Sequence, residues 1–556
     1  MRRFFIITCS IVAMLYASVP ADATVSLWSG AQVMPNDWSR SVRLDASSFA
    51  NAQAGQVLRI QFEAIGVDAR LQMKNAEDWA ELADAPLSSI CGRHYDYRVT
   101  PRMLTELQKL GVRVGGCNYT LTGVLLLDSA ELKPLMASVP VTGNWVFGDR
   151  PAIVVHVENP YSEPMPADIE VEITTDQLRA VQGLRQSDTI PANGAKDFSF
   201  TTTMTLPAGF YKAVCLVNDD LARASTFGVN PTAIVSAPDA RPDFDAFWAA
   251  AKQQLEAIPM DAVLTEIPSK STAARKVYLV EMNSIPDGLS GEPVVVRGYY
   301  CEPQDGKQHP VIIHYAGYDS GYRPGGQDVI PYCASGDAER DYAEFFLATR
   351  GQNINNRAAS EREPDGKGDF TNTYGDWFAF HFGDKDSYYY RGAFMDCVQA
   401  VRFMATRPTS DMTNLFAEGH SQGGAFTYAA AALSDYPFRA IAPAIAFLGD
   451  YPDYFATVHW PAYVARANQG TMTDESMYAF LSYFDTKNLA VRITCPVIAC
   501  IGLQDDVCPP HTNIAPYNNV RSVIKELRIN PERKHRAADT WYDDWMRFFR
   551  DNMIHH

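Results

Sequence analysis

The stretch "LFAEGHSQGGAFTYAAAALS" constrains the fold of this chain of 556 residues more than any other. An apolar run leads into Gly419-His420-Ser421-Gln422-Gly423, and strong helix formers follow it. This G-x-S-x-G pattern is typical of a sharp turn between a buried strand and a helix, where a serine hydroxyl is exposed at the carboxyl end of a parallel sheet. The stretch therefore predicts an α/β domain in which Ser421 is a candidate nucleophile. A purely structural serine is the alternative.

A serine hydroxyl attacks poorly unless a base takes its proton and a third group holds that base. In folds with this turn, the acid follows the serine along the chain and the histidine follows the acid. The apolar run of "IACIGLQDDVCPP" ends at Asp505, which places this residue in the loop beyond a predicted buried strand. Asp505 is therefore the predicted acid, and its neighbour Asp506 is the alternative.

Four histidines follow Asp505, and His535 is the predicted base among them. His511 comes too soon to leave room for the helix and strand that must intervene, and His555 and His556 end the sequence. His535 lies in the loop "NPERKH", after a helical or loop segment and a strand-like run. A solvated loop histidine is the alternative interpretation.

The oxyanion that forms during acyl transfer is stabilised by backbone N–H groups that are fixed in advance. One predicted donor is the amide of Gln422, directly after the serine. The other is expected in the loop after an earlier strand. That loop is "HYAGYDSGY", and Tyr318 is the predicted donor.

The pattern of the surrounding chain agrees with this fold. "DFDAFWAAAKQQLEAI" has the apolar spacing of an amphipathic helix. "HPVIIHYAG" is a continuous apolar run, as expected where helices cover both faces of a parallel sheet. The aromatic run "DSYYYRGAF" is interpreted as core, with a sugar site as the alternative. Residues 236–556 are therefore predicted to form an α/β-hydrolase domain, with a mostly parallel sheet and helices on both faces.

Residues 24–133 alternate between apolar and polar positions, which predicts an all-β domain. One helical segment at 100–116 interrupts them. The pattern resembles the galactose-binding-like jelly rolls, a carbohydrate-binding-like domain type. If Trp28, Trp38 or Trp79 is exposed, it could stack on a sugar ring; core tryptophans are the alternative.

Residues 134–235 have the strand spacing of an immunoglobulin-like sandwich, which we interpret as a spacer. The chain is thus predicted to be multidomain, with two all-β domains before the catalytic one.

Residues 1–23 have the layout of a cleavable secretory signal, with two arginines, an apolar run and Ala21-Asp22-Ala23. We therefore expect an exported protein, periplasmic or extracellular. No later stretch approaches the length of apolar sequence that a membrane span needs. The net charge of −17 argues against a nucleic-acid partner, because phosphates are bound by basic surfaces.

The cysteines after residue 23 form an odd and scattered set, which indicates no disulfide framework. A Cys91–Cys117 bridge is the first candidate, and buried free thiols are the alternative. Cys508 and His511 mimic half of a zinc site but have no second pair at ligand spacing. "EREPDGKGDF" misses the spacing of a calcium loop. No metal and no cofactor are therefore predicted.

Eight strings occur in a fixed order after position 241: "RPDFDAFW", "VVVRGYYCEP", "PVIIHYAGYDSGY", "ATRGQ", "YYYRGAFMDCVQAVRFMATRP", "EGHSQGGAFT", "GLQDDVCPP" and "NPERKH". Together they resemble the acetyl xylan esterase and cephalosporin C deacetylase family, carbohydrate esterase family 7 of the α/β-hydrolase superfamily. Arg350-Gly351-Gln352 and the G-H-S-Q-G string are signatures of that family.

The resemblance implies Ser421 as nucleophile, Asp505 as acid, His535 as base, and the amides of Tyr318 and Gln422 as the oxyanion hole. It also implies a serine esterase that removes acetyl groups from xylan-derived or other small acetylated carbohydrates through an acetyl-enzyme, without a cofactor. The expected partners are an acetylated oligosaccharide or polysaccharide substrate and, in a possible homo-oligomer, copies of the same chain.

Two other functions remain open at this point. A secreted serine peptidase shares the fold, but no propeller repeat is present and the R-G-Q string counts against it. A catalytically weak carbohydrate-binding protein is suggested by Arg536, because the family has a glutamate directly after the base histidine. The simple members of the family also lack both amino-terminal β domains.

Overall fold

The computed structural model describes residues 24–129, 132–318, 320–322, 341–354 and 374–555. Within these residues, three groups of β-sheets follow one another along the chain. Residues 1–23 and the "EREPDGKGDF" segment lie outside the described residues, so the interpretations made for them stay predictions. In the described part of the chain, no helix is long and apolar enough to span a membrane.

The first group is a sandwich of two four-stranded antiparallel sheets around one core. Its elements are β1 Thr24–Met34, β2 Ser41–Leu44, β3 Val57–Glu63, β4 Arg70–Asn75, β5 Ser88–Ser89, β6 His94–Arg98, α1 Pro101–Leu110, β7 Val112–Cys117 and β8 Tyr119–Leu127. The sheets are ordered β1-β8-β3-β6 and β2-β7-β4-β5. Alternate residues such as Leu58 and Ile60 point into the core, which explains the period of two in the sequence.

Helix α1 is shorter than the predicted segment 100–116. It begins after Thr100, whose side chain accepts a hydrogen bond from the Met103 amide, and it ends before Gly111, which has φ of 71°. The β-branched Val112 and Val114 then form strand β7 instead of a further helical turn.

The second group is a sandwich of a five-stranded and a three-stranded sheet. Its strands are β9 Met136–Ser138, β10 Val146–Phe147, β11 Ala152–Glu158, β12 Met165–Thr175, β13 Ala180–Ile190, β14 Ala195–Thr201, β15 Gly209–Val217 and β16 Asp220–Val229. The sheets are ordered β10-β16-β15-β12-β13 and β14-β11-β9.

The third group is one nine-stranded sheet with helices, together with a small two-stranded sheet. Its elements are α2 Phe244–Glu256, β17 Val263–Glu266, β18 Arg275–Ser284, β19 Val294–Pro303, β20 His309–Tyr315, β21 Gly321–Tyr322, β22 Ala343–Ala348, β23 Asn353–Ile354, α3 Tyr389–Ala405, β24 Ser410–His420, α4 Gln422–Leu433, β25 Ala440–Ala444, α5 Tyr451–Thr457, α6 Ala462–Asn468, α7 Asp474–Leu481, α8 Thr486–Ala490, β26 Val497–Gly502, α9 Pro510–Asn519, β27 Lys525–Asn530 and α10 Trp541–Asn552.

The nine strands are ordered β17-β18-β19-β22-β20-β24-β25-β26-β27. The pairs as far as β19–β22 are antiparallel, and all pairs from β22 to β27 are parallel. Helix α10 packs on one face of this sheet, and α3 and α4 pack on the other. This arrangement brings the carboxyl ends of β24, β26 and β27 to one edge, where ligands bind in open parallel sheets.

Two interpretations from the sequence can be settled at this level. The aromatic run is core, because Tyr388, Tyr389 and Tyr390 are all buried at the start of α3. The proposed disulfide is wrong, because Cys91 and Cys117 are both free. Cys117 ends strand β7 with its thiol directed at the Asp68 carbonyl, 3.8 Å away, while Cys91 lies in the loop beyond β5.

Candidate active site

Ser421 lies in the turn between β24 and α4 with a strained backbone, φ 57° and ψ −119°. Its amide donates to the Ala444 carbonyl at 2.9 Å, and its carbonyl accepts from the Phe447 amide at 3.0 Å. These bonds to the end of β25 and to the chain just after it hold the strained residue in place. A positive φ costs conformational energy for a residue with a side chain, and it persists only where the surrounding structure enforces it.

Three polar side chains meet at this turn, one from each of three strand ends. The Oγ of Ser421 lies 2.9 Å from Nε2 of His535, and Nδ1 of His535 lies 2.8 Å from Oδ2 of Asp505. The Asp505 side chain is fully buried, and its Oδ1 accepts from the amides of Val507 and Cys508 at 2.9 and 2.8 Å. The alternative acid, Asp506, is exposed and pairs with Lys534.

The loop that carries His535 is held by the end of β26. The Gln504 amide donates to the Arg533 carbonyl at 3.0 Å, and its side-chain amide donates to the Pro531 carbonyl at 2.8 Å. A Cβ on Gly502 would lie 2.5 Å from the Lys534 carbonyl, so only glycine allows this approach. Arg536 points into solvent near Asp539, so His535 is oriented by Asp505 and the loop, not by the residue after it.

The Gly317–Tyr318 peptide lies directly beside the serine, since a Cβ on Gly317 would be 4.0 Å from the Ser421 Cβ. The Gly317 carbonyl accepts hydrogen bonds from Nε2 of Gln352 at 2.9 Å and from Oγ of Ser320 at 2.8 Å. Because the peptide is planar and trans, the Tyr318 N–H points away from these two donors. The Gln422 amide opens helix α4, where backbone N–H groups have no partner within the helix.

Aromatic rings form a wall around the Tyr318 side chain. Its ring centroid lies 5.0 Å from Trp377, 5.2 Å from Trp460 and 6.1 Å from Phe447. The Tyr318 hydroxyl donates to Asp376 at 2.8 Å, and burial raises the pKa of this tyrosine well above its usual range. Sequence reasoning missed Trp460, because no spacing links its loop to the serine.

A second polar cluster lies apart from the serine, where the second sandwich meets the nine-stranded sheet. Ligand atoms of Asp176, Asp453 and His511 all lie within 4.8 Å of one another. Burial and the charge of Asp453 raise the pKa of Asp176 to about 6. Nε2 of His511 lies 2.9 Å from Asp450. Cys508 is not among the residues of this cluster.

The nine-stranded sheet, with its serine turn after β24, defines the third part of the chain as an α/β-hydrolase. Residues 235–553 match the acetyl xylan esterase family model, and the chain belongs to this family. It is a carboxylic-ester hydrolase that acts on acetyl esters. Neither the peptidase nor the binding-protein alternative is favoured.

The chain is similar to the acetyl esterase Axe7A of Xylanibacter ruminicola, with 25% identity over 453 residues that cover 79% of this chain and 95% of that protein. Among solved structures it resembles the acetyl xylan esterase from Paenibacillus sp. R4, with 26% identity and a TM-score of 0.49. It also resembles acetyl xylan esterase 1 from Thermoanaerobacterium sp. JW/SL YS485, with 25% identity and a TM-score of 0.48. Each match covers 58% of this chain and 98% of the solved chain.

Proposed function

We propose that Ser421, His535 and Asp505 are the catalytic triad of this esterase. The observation that carries the proposal is the continuous pair of contacts, 2.9 Å from Ser421 to His535 and 2.8 Å from His535 to Asp505. Asp505 would hold the proton on Nδ1 of His535, so that Nε2 is free to accept the serine proton.

The proposed reaction has two steps. In the first, Ser421 Oγ attacks the acetyl carbonyl carbon while His535 takes the serine proton. The oxyanion is stabilised by the N–H groups of Tyr318 and Gln422. The C–O bond to the sugar then breaks, and the leaving oxygen takes the proton from His535. In the second step, His535 activates a water that attacks the acetyl-enzyme, and acetate and Ser421 are released.

The proposed substrates are O-acetyl esters of xylan-derived or other small acetylated carbohydrates. The family membership and the similarity to an acetyl esterase support this class. The aromatic residues near Ser421 support a small acyl group: Tyr318 follows Gly317, Phe447 binds the Ser421 carbonyl through its amide, and the Tyr318 ring packs against Phe447 and Trp377.

For the amino-terminal regions we propose a jelly-roll, carbohydrate-binding-like domain at 24–133 and an immunoglobulin-like spacer at 134–235, followed by the esterase domain at 236–556. The two-sheet arrangement of each region supports these types. Export to the periplasm or the outside of the cell is proposed from the pattern of residues 1–23. A homo-oligomer stays a prediction.

The triad is tested by acetate release from p-nitrophenyl acetate and from acetylated xylo-oligosaccharides. Ser421→Ala and Asp505→Asn should each lower kcat by on the order of 10⁴-fold or more, because the nucleophile or the correct histidine tautomer is lost. Asp506→Asn, which changes the neighbouring exposed carboxylate, is the matched control and should keep its rate. An unchanged rate in Ser421→Ala would overturn the assignment.

A further inference from the structure

A large cleft lies where the two sandwiches meet the esterase domain, with a volume of about 1630 Å³. Strand β3 of the first sandwich lines it with Gln61 and Glu63, and β15 of the second sandwich lines it with Lys212. The esterase domain contributes Trp460 and Asp505. All three parts of the chain therefore form the walls of one cavity.

This cleft borders the proposed catalytic centre on the side of the base. Asp505 and Lys534 line it, and Lys534 is directly followed by His535. During ester hydrolysis the leaving oxygen must take its proton from the histidine. The alcohol part of the substrate, which here is the sugar, must therefore lie on the His535 side. Neither His535 nor Ser421 lines the cleft itself, but a sugar chain that continues from His535 past Lys534 would enter it.

The size of the cleft fits a chain better than a single sugar. Pockets for small ligands measure about 300–1,000 Å³, and this cleft is larger. Its lining also continues from Trp460, beside the Tyr318 ring, to β3 of the first sandwich. A ligand that fills this path would contact a domain that a lone acetylated monosaccharide at Ser421 would leave untouched.

The charges of the lining favour a neutral ligand. Arg93 pairs with Glu172 at 3.2 Å and with Asp219 at 2.9 Å, and all three residues line the cleft. Paired charges give no net field of one sign, such as a charged ligand would need. The remaining groups offer both donors and acceptors, and sugar hydroxyls can use both.

The first sandwich is fixed in its position as a wall. Arg93 donates to Glu170 and to Asp219 of the second sandwich at 2.7 and 2.9 Å. The loop after β3 is held by Asn118, whose side-chain amide donates to the Val67 carbonyl at 2.8 Å. Since the wall is built by specific contacts, the cleft is a preformed site and not a gap between loosely linked domains.

We propose that this cleft binds the sugar chain that carries the acetyl ester, and that Gln61 and Glu63 of the first sandwich contact sugar residues beyond the acetylated one. The proposal rests on the proposed esterase function and names its substrate as an oligosaccharide or polysaccharide chain. It assigns sugar contact to the cleft and not to Trp38 and Trp79, which are 41% and 52% exposed and do not line it.

The test compares kcat/KM of the full-length protein on acetylated xylo-oligosaccharides of increasing length and on p-nitrophenyl acetate. For the wild type we expect kcat/KM to rise with chain length. The double variant Gln61→Ala/Glu63→Ala should lose this rise, about tenfold on the longest substrate, and should keep its p-nitrophenyl acetate rate within about twofold. Trp79→Ala, in the same sandwich, is the matched control and should behave like the wild type.

Three outcomes would overturn the proposal: no dependence on chain length in the wild type, an unchanged dependence in the double variant, or its loss in Trp79→Ala alone. If the double variant loses activity on both p-nitrophenyl acetate and the oligosaccharides, the single variant Glu63→Trp is the deciding test of the site. The tryptophan would fill the cleft from an exposed position and leave Gln61 intact. It should lower only the oligosaccharide rate, and an unchanged oligosaccharide rate rejects the site. Failure of the esterase function itself is distinguished by p-nitrophenyl acetate activity that survives Ser421→Ala.

Discussion

Gln352 donates hydrogen bonds to two consecutive carbonyls near Ser421, the proposed nucleophile: those of Ala316 and Gly317, at 3.2 and 2.9 Å. Its own Oε1 accepts from the Thr349 amide at 2.9 Å, so the side chain is held at both ends. Fixing the Gly317 carbonyl also fixes the direction of the Tyr318 N–H on the other side of the same peptide. We infer that Gln352 is a positioning residue for the proposed oxyanion hole.

Gln352→Met should therefore lower kcat for p-nitrophenyl acetate by about tenfold to a hundredfold with little change in KM, since the oxyanion forms only in the transition state. The measurement is steady-state kinetics, with the melting temperature as a check on folding.

Ser320→Ala, which removes the other donor to Gly317, should have a smaller effect of the same kind. The double variant should be non-additive, because both side chains hold one carbonyl. A rise in KM with kcat preserved would contradict the positioning role.

The turn between β24 and α4 depends on a close approach of one backbone segment to another. A Cβ on Gly423 would lie 2.1 Å from the Tyr315 carbonyl oxygen, far inside van der Waals contact. The oxygen belongs to the end of β20, which cannot move without disturbing the adjoining Gly317 loop.

Gly423→Ala should thus destabilise the fold by about 1–3 kcal/mol and abolish most activity, because the clash displaces Ser421 and the Gly317 loop together. Thermal unfolding and p-nitrophenyl acetate hydrolysis measure the two effects. Gly183→Ala, at a strand position with open space around it, is the matched control and should retain both properties. Retained activity in Gly423→Ala would show that the turn accommodates a Cβ at this position.

Three neighbouring strands share a buried charge cluster beneath this edge of the sheet. His314 on β20 lies 2.7 Å from Glu418 on β24 and 3.3 Å from Glu344 on β22. Burial alone would lower the pKa of His314, but the hydrogen bonds to the two glutamates raise it to about 9. The cluster therefore holds a charged imidazolium in the sheet at neutral pH.

A raised histidine pKa contributes stability that is fully present below about pH 6.5, the ordinary value, and is lost as the pH rises through about 9. The contribution is at most about 3 kcal/mol. The melting temperature of the wild type should therefore fall between pH 7 and pH 9.5. His314→Gln should melt lower at pH 7 and lose much of this pH dependence. Parallel pH curves for the two proteins would rule the cluster out as the cause.

At the scale of elements, the sequence patterns performed best where the signal is local. Ser421 and Asp505 follow apolar runs that prove to be β24 and β26, and His535 follows the strand-like run that contains β27, so each residue could be placed beyond a strand end from the sequence. The contact of Gln352 with the Gly317 carbonyl and the contact of Trp460 with the Tyr318 ring could not be predicted from the sequence, because both depend on tertiary packing. The helix predicted at 100–116 is too long, because the prediction ended it at Gly116. In the structure the helix already ends before Gly111, and the β-branched residues that follow form strand β7.

At the scale of the whole molecule, the junction between the second sandwich and the esterase domain is not a simple linker. One hydrophobic cluster runs through both. The Gln504 side chain both accepts from and donates to the backbone of Thr226, at 2.8 and 2.9 Å. Asn518 donates to the carbonyls of Pro231 and Ile234, at the start of the connecting segment. The two domains should therefore unfold together and not as separate units.

Asp450 is the polar centre of this junction. Its carboxylate accepts from Lys487 at 2.8 Å, pairs with His511 at 2.9 Å, and accepts from the hydroxyl of Ser236 in the connecting segment. Burial by itself would raise the pKa of Asp450, but the hydrogen bond from His511 and the charge of Lys487 hold it well below its usual range. The Lys487 side chain is only 5% exposed, and Asp450 is the nearer of its two carboxylate partners; Asp239 is the other, at 3.2 Å.

Asp450→Asn should cost about 1–3 kcal/mol, because it removes the nearer of the two carboxylates that pair with the buried Lys487 ammonium and leaves Asp239, at 3.2 Å. Asparagine tolerates the left-handed backbone of this position, φ 51°. The loss of stability therefore reports the missing charge and not backbone strain. Asp435→Asn removes an exposed partner of Lys252 and should cost at most about 1 kcal/mol. Since the lowered pKa keeps Asp450 charged, the difference in melting temperature between wild type and Asp450→Asn should persist down to about pH 4. Equal melting temperatures for the two variants would mean that the apolar cluster, and not this charge, holds the two domains together.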